Sequence, residues 1–293
     1  PCKYACHNGV NFETKLVISE VFRLTQVDFK IELRFMVTKG NFYIWFMKKV
    51  LGVFSLIWKL YVGILFVVMA LIFFPFIYPL LFIDRNKKRA FKVFVVWSWT
   101  FRIVCFYHIK KVRKAEVPDG PYVILANHIS YLDIFLMYSI LPKSEFLFLG
   151  KGELLRYPII GAYFKRLNIP VHRGDRMKAA RSLVHASNEV KKGWSIVIFP
   201  EGRIPNVNPK MIPFKSGAFQ LAKNLNLPIV PLTFTNNHIL FSDPTFILGP
   251  ARPGLCRVYM HDYISAEKVA SMDQNELRRY CHALLNGPLL EEY

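Results

Sequence analysis

From residue 121 onwards the chain alternates short apolar runs with amphipathic stretches. The runs are "YVILA" (122–126), "EFLFLG" (145–150), "NIPV" (168–171), "SIVIFP" (195–200), "LPIVPL" (227–232) and "RVYMHDYI" (257–264). Each has the length of a strand and is bounded by turn-forming residues, the pattern of strands buried on both faces. Helices are predicted between them. The clearest follows Asp175, a good N-cap, with Met177, Ala180, Leu183, Val184 and Val190 on one face and Gly193 at its end. This alternation predicts an α/β domain over 115–293, a largely parallel sheet flanked by helices.

Upstream the pattern is different. Leu60–Ile83 is 24 residues without a charge, roughly 36 Å as a helix, against about 30 Å for a bilayer core. Lys48, Lys49 and Lys59 precede it; Arg85, Lys87, Lys88, Arg89 and Lys92 follow it, and Pro75 and Pro79 favour a break in its last third. A second apolar stretch, Phe91–Ile109, is aromatic throughout and, past Lys92 at its start, holds a single internal Arg102; the basic linker "KKVRKAEVPDG" comes after it. Cations on both flanks argue against one simple crossing. Residues 41–114 are therefore predicted to form a membrane-embedded helical pair with residues 50 and 88 on the same, cytoplasmic face; a single span is the alternative. Residues 1–40 show no sustained period and read as an extension of no assigned role, with Met36 or Met47 as candidate starts.

Charge sharpens this picture. The net charge is +19, and residues 41–120 carry 13 Lys or Arg against 3 Asp or Glu. More than half of the excess sits in the greasiest segment, and no basic, aromatic-interleaved stretch is present, so the expected anionic partner is membrane lipid and not nucleic acid. The five cysteines are scattered, no Asn-x-Ser/Thr sequon occurs, and Cys2, Cys6 and His7 lack a second ligand pair. No metal site is expected, and a reducing, cytoplasm-facing catalytic part is.

Candidate chemistry gathers at strand ends, where open α/β sheets place their sites. "YVILANHISYLDIF" ends a strand on His128, offers Ser130 as a helix cap and puts Asp133 in the first helical turn. That carboxylate is placed to hold one ring nitrogen of His128 and leave the other basic. "SIVIFPEGR" ends a strand with Glu201, Gly202 and Arg203; "NIPVHR" ends another with His172 and Arg173; "PFKSGAF" sets Lys215 and Ser216 at a helix start. Together they describe a base beside an anion pocket. A Gly-x-Ser-x-Gly elbow is absent, Ser265-x-x-Lys268 has no companion motif, and "LFLGKG" lacks the Ser/Thr a phosphate loop needs after Lys151.

"NHISYLD", "KGELLRYPIIGAYFKRLNIPVHR", "FPEGR" and "LPIVPL", in this order, resemble the four blocks of the glycerophospholipid acyltransferases, most closely the 1-acylglycerol-3-phosphate acyltransferases. The resemblance covers roughly residues 60–290. It implies that His128 takes the proton of the acceptor hydroxyl as this attacks an acyl thioester, with Asp133 orienting it. Glu201, Gly202, Arg203, Arg173, Lys151 and Lys215 are then expected at the lysophospholipid phosphate. The implied co-substrate is acyl-CoA or acyl carrier protein, with no other cofactor, and phosphatidic acid is the implied product. Where that family has Glu-Gly-Thr-Arg, Arg203 directly follows Gly202, which displaces the guanidinium by one residue. Another lysophospholipid or glycerol-3-phosphate as acceptor is the alternative within the class; a catalytically silent lipid-binding adaptor is the alternative outside it.

Overall fold

The computed structural model describes residues 46–83, 86–156, 158–171, 175–205 and 210–292. The chain divides into two compact units, residues 1–53 and 54–293, and the second holds the α/β part together with most of the apolar helices. The expectation for residues 1–40 and the position of Arg173 lie outside the described residues.

The first helix, α1 (Phe46–Ile77), starts well before the uncharged run, so Lys48, Lys49 and Lys59 lie within it and do not merely precede it. Its 32 residues correspond to about 48 Å. Lys59 is tolerated because its ammonium donates to the Phe246 carbonyl. Pro79 opens a short 3-10 turn, Pro79–Phe82, and α2 (Lys87–Val104) then runs back. Ala90, Phe91, Phe94, Trp97 and Phe101, at helical spacing, bury one face of α2.

From Trp58 onwards, α1 lies along the domain for about 30 Å. Trp58 donates to the Tyr107 hydroxyl at 2.9 Å. Phe66 packs on Trp97, Phe101 and Phe135, and Tyr163 donates to the Ala70 carbonyl at 3.2 Å. The opposite face of the same helix shows Ile57, Leu60, Ile64, Val67, Leu71, Ile72 and Phe76 to the outside. Apolar residues thus cover both faces, and among the described residues one face packs against the protein.

The strands are β1 (Tyr107–Arg113), β2 (Val123–Ala126), β3 (Phe146–Lys151), β4 (Ile169–Val171), β5 (Ser195–Ile198), β6 (Ile229–Phe234) and β7 (Gly254–Met260). They form one sheet in the order β1-β7-β6-β2-β5-β3-β4, parallel throughout except for the antiparallel β6–β7 pair. Helices α3 (Leu132–Ile140), α4 (Pro158–Leu167), α5 (Arg176–Lys191), α6 (Gly217–Asn224), α7 (Asn237–Leu240), α8 (Ala266–Ser271) and α9 (Gln274–Glu292) complete the fold. The predicted mostly parallel α/β architecture is present.

Two local expectations need correction. The helix expected to reach Ile109 stops at Val104, and the supposed linker contributes the edge strand β1. Phe106, at φ 51°, turns the chain out of α2 directly into that strand. In α5, Asp175 caps as predicted by accepting from the Lys178 amide, but Met177, Ala180 and Val184 are exposed. The buried face of α5 uses Ser182, Ala186, Glu189 and Val190 instead. Ser182 fits there because its hydroxyl donates to the Pro170 carbonyl at 2.7 Å.

Candidate functional site

The register places β2 at the centre of the sheet, with Val123 level with Ile196 of β5 and Ile229 of β6. The residues after Ala126 therefore emerge in the middle of the carboxyl edge. Asn127 extends the ladder by side chain: its amide donates to the Phe234 carbonyl and accepts from the Phe234 amide, both at 2.8 Å. This fixes the chain just before His128. Ser130 accepts from the Leu132 amide at 3.1 Å just ahead of α3, but the N-cap position itself is Tyr131, not the expected Ser130.

Asp133, fully buried, is the hub. Its Oδ2 accepts from the Ile129 amide at 2.7 Å, the Ser130 amide at 2.8 Å and His128 Nδ1 at 3.0 Å. Its Oδ1 accepts from the Asn237 side-chain amide at 2.7 Å. A carboxylate only accepts, so the shared proton sits on Nδ1 and Nε2 of His128 holds the basic lone pair. The imidazole, 12% exposed, stacks on Phe199 with centroids 4.3 Å apart. Phe199 is in turn parallel to Phe148 at 6.3 Å. The ring is held by a hydrogen bond at one end and an apolar floor beneath.

Glu201 lies directly behind the His128 loop. It is 2% exposed; one oxygen accepts from the His128 amide at 2.9 Å and the other from the Ile212 amide at 3.1 Å. Burial pushes its carboxyl up to about 7, with those two amides opposing the rise and Asp133 adding to it. Its side chain braces the loop that carries His128. Gly202 turns at φ 77° with the Lys215 side chain against it, so a Cβ there would lie 3.0 Å from Lys215 Nζ. Lys215, at the start of α6, and Arg203 are both exposed on this edge. Lys151 ends β3, two strands from β2 or about 10 Å away, and lies 3.7 Å from Glu153.

Three other candidate nucleophiles are engaged or buried. The Ser130 hydroxyl donates to the Phe241 carbonyl at 2.6 Å. Cys256 is buried and its thiol is pushed upwards by that burial and by Asp133, which keeps it protonated. Ser265 caps α8 by accepting from the Lys268 amide, and Lys268 donates to the Tyr280 hydroxyl. Among the described residues no three His, Cys, Asp or Glu side chains are grouped to hold a metal ion. A cleft of about 240 Å³ lined by Phe82, Lys165, Arg166 and His185 lies by the starts of β3 and β4 and takes no part in the His128 site.

The family model described as Acyltransferase matches residues 104–235, the stretch that spans His128, Asp133 and Lys215. Over that stretch the chain is similar to the acyltransferase family. It is 30% identical over 195 residues to the chloroplastic 1-acyl-sn-glycerol-3-phosphate acyltransferase BAT2 of Brassica napus, covering 65% of this chain and 55% of that one. A putative 1-acyl-sn-glycerol-3-phosphate acyltransferase of Caenorhabditis elegans is 34% identical over 164 residues, 55% of this chain and 56% of its own. The yeast (Saccharomyces cerevisiae) enzyme of the same name is 34% identical over 151 residues, 47% and 49%. The chain thus spans about half the length of these curated relatives. In structure it is similar to the crystallised 1-acyl-sn-glycerophosphate acyltransferase PlsC of Thermotoga maritima, with a TM-score of 0.66 at 21% identity over 83% of this chain and 97% of that one.

Sequence reasoning missed Asn237, which lies just beyond the matched stretch and 104 positions from the carboxylate it supports. It also missed Phe199 as the floor under the imidazole. The doubled Asn236-Asn237 immediately after a strand was the available signal for the first.

Proposed function

We propose that this chain transfers a fatty acyl group from a thioester carrier, acyl-CoA or acyl carrier protein, to the free hydroxyl of 1-acylglycerol-3-phosphate, giving phosphatidic acid. The observation that carries the reading is the His128–Asp133 pair: a fully buried carboxylate locks Nδ1 at 3.0 Å and leaves Nε2 as the base at a ring that meets solvent. Nε2 takes the hydroxyl proton, the acceptor oxygen attacks the thioester carbonyl, and the tetrahedral adduct collapses with the thiolate leaving. The imidazolium then returns its proton to that sulfur. Asp133 stabilises the imidazolium in between. Lys215, Arg203 and Lys151, cations on the same sheet edge, favour an acceptor that carries phosphate, and Arg173 belongs to the same proposal by sequence.

The acceptor is a membrane lipid, and α1 supports work at a bilayer surface. It is long and apolar enough to cross a membrane, yet from Trp58 onwards it lies against the folded domain. An upright crossing would carry the charged α/β part into hydrocarbon. A helix lying in one leaflet, with its outward apolar face in lipid and its flanking cations at anionic headgroups, avoids that. The catalytic edge then faces the compartment of the acyl carrier, the cytoplasm.

The test is an acceptor panel with labelled acyl-CoA: lysophosphatidate, lysophosphatidylcholine and glycerol-3-phosphate. Labelled phosphatidic acid is the expected main product. Faster transfer to either other acceptor overturns the assignment, and transfer undiminished by His128→Ala overturns the mechanism.

A further inference from the structure

Because β7 runs antiparallel to β6 and β1 pairs parallel with β7, β1 and β7 begin at the same edge of the sheet where β2 and β6 end. The active-site edge therefore also carries the segment that joins α7 to β7. This segment is tightly built. Asp243 accepts from the Thr245 amide at 2.9 Å and from its hydroxyl at 2.8 Å. The Phe246 amide donates to the Asp243 carbonyl at 3.0 Å, the Gly249 amide to the Phe246 carbonyl at 2.8 Å and the Ser242 amide to the Pro250 carbonyl at 2.9 Å. A Cβ at Gly249 would lie 2.6 Å from the Ser242 hydroxyl, so the turn leaves no room for a side chain there. At its tip, three consecutive apolar side chains face outwards: Phe246 at 55%, Ile247 at 62% and Leu248 at 44% exposure.

These residues do not stand alone. Phe106 and Leu255, at the starts of β1 and β7, are 58% and 42% exposed on the same edge, with the Gly254 amide donating to the Phe106 carbonyl at 3.1 Å. On the other side, Lys59 of α1 is tied to the Phe246 carbonyl, which places the loop beside the exposed Ile57 and Leu60 of that helix. The apolar outer face of α1 thus continues onto the α/β part at the catalytic edge, with the exposed Arg252 at the base of the loop. Contiguous exposed apolar surface of this kind marks a contact with lipid or protein. Its continuity with a helix face that is apolar from Ile57 to Phe76, and a cation at its rim, fit a bilayer surface.

We propose that Phe246, Ile247 and Leu248 form a second lipid-inserting element, seated in the same leaflet as α1. It fixes the tilt of the sheet on the membrane, so that the edge carrying His128 opens at the headgroup layer, where a lyso-lipid presents its hydroxyl. One helix alone leaves the domain free to roll about the helix axis; a second contact beside it removes that freedom. The proposal rests on the membrane-surface reading above, and the test separates the two.

With Cys2 and Cys6 replaced by Ser, and the other three cysteines buried, a single cysteine at Ile247 or at Ile64 of α1 is labelled with an environment-sensitive fluorophore. The protein is reconstituted into phosphatidylcholine–phosphatidylglycerol vesicles with and without spin-labelled lipid. Quenching at both positions is expected. Quenching at Ile64 but not at Ile247 overturns the second element and leaves the membrane reading intact; quenching at neither overturns both. A blue shift at Ile247 without lipid quenching means that a protein segment, from this chain or a second copy, covers the loop, and also overturns the proposal. As a functional arm, Ile247→Asp is expected to raise the KM for vesicle-borne lysophosphatidate about tenfold while leaving turnover of a water-dispersed short-chain acceptor unchanged. An equal loss on both acceptors counts against it.

Discussion

Asp133→Asn isolates charge from shape. The substitution is isosteric, and the surroundings can accept it: Asn237 Oδ1 has no hydrogen-bond partner among the described residues, so turning the Asn237 amide over presents an acceptor to the new amide group. The side-chain oxygen that remains in this variant keeps the Ile129 and Ser130 amides and His128 Nδ1, now as neutral bonds. The fold loses the charge-assisted part of those contacts, about 1–2 kcal/mol. Turnover loses far more. At 3.0 Å, an imidazolium–carboxylate pair in surroundings of effective dielectric about 20 is worth about 5 kcal/mol, and that stabilisation grows only as the base takes its proton. The expected loss in kcat is about 10⁴-fold, with KM for both substrates within a few fold. The assay is acyl transfer from labelled acyl-CoA to lysophosphatidate at saturating substrate, alongside thermal unfolding of both proteins. A variant that unfolds cooperatively yet keeps kcat within about tenfold of the parent refutes the claim that the Asp133 charge drives proton transfer.

His128→Ala is expected to lower kcat by about 10²–10⁴-fold with an unchanged melting temperature, read in the same two assays. Glu201→Gln places an amide N–H against one of two backbone donors, at a cost of about 1–3 kcal/mol by denaturant unfolding. The Glu201 carboxyl is raised from 4.5 to about 7 on folding, so its contribution is full below pH 4.5 and is lost as pH rises through about 7. Parental stability should therefore fall across that window, while Glu201→Gln shows a flatter profile; parallel profiles count against this reading. Gly202→Ala strains a backbone at φ 77° and pushes on Lys215, predicting about 1–2 kcal/mol lost and a higher KM for lysophosphatidate than for acyl-CoA relative to the parent. Arg203→Ala is expected to raise the lysophosphatidate KM by about 10–150-fold, the worth of a charge-assisted contact; an equal rise in both KM values assigns Arg203 to the fold.

Most of the sheet was legible because its strands are buried on both faces. β2, β5 and β6 are buried at every position, and such strands must be apolar runs in any sequence. β1 was not, because it is an edge strand. Only Tyr107 of its seven residues is fully buried, and Lys110, Lys111 and Arg113 discourage pairing with another chain. The composition that protects an edge is also that of a basic linker. The α5 face was misassigned for a related reason: periodicity counts apolar residues, whereas Ser182 and Glu189 are buried there with partners of their own.

The site divides along the same line. His128 and Asp133 were legible because the short turn between β2 and α3 brings them together, so spacing along the chain is already spacing in the fold. Glu201 was legible as a position but not as a role. Only the β2–β5 register, which sets Leu125 beside Ile198, brings its carboxylate to the His128 amide. Asn237 depends on two pairings at once: β6 beside β2, and the short α7 turning back over the end of β6. Nothing across a separation of 104 positions encodes that meeting locally. The proposed catalytic pair thus belongs to a single turn, while the groups that hold its charge in place, a side-chain amide on one side and a bracing carboxyl on the other, belong to the sheet. Grafting residues 126–133 onto another strand–helix junction would carry the base and its carboxylate but none of that support.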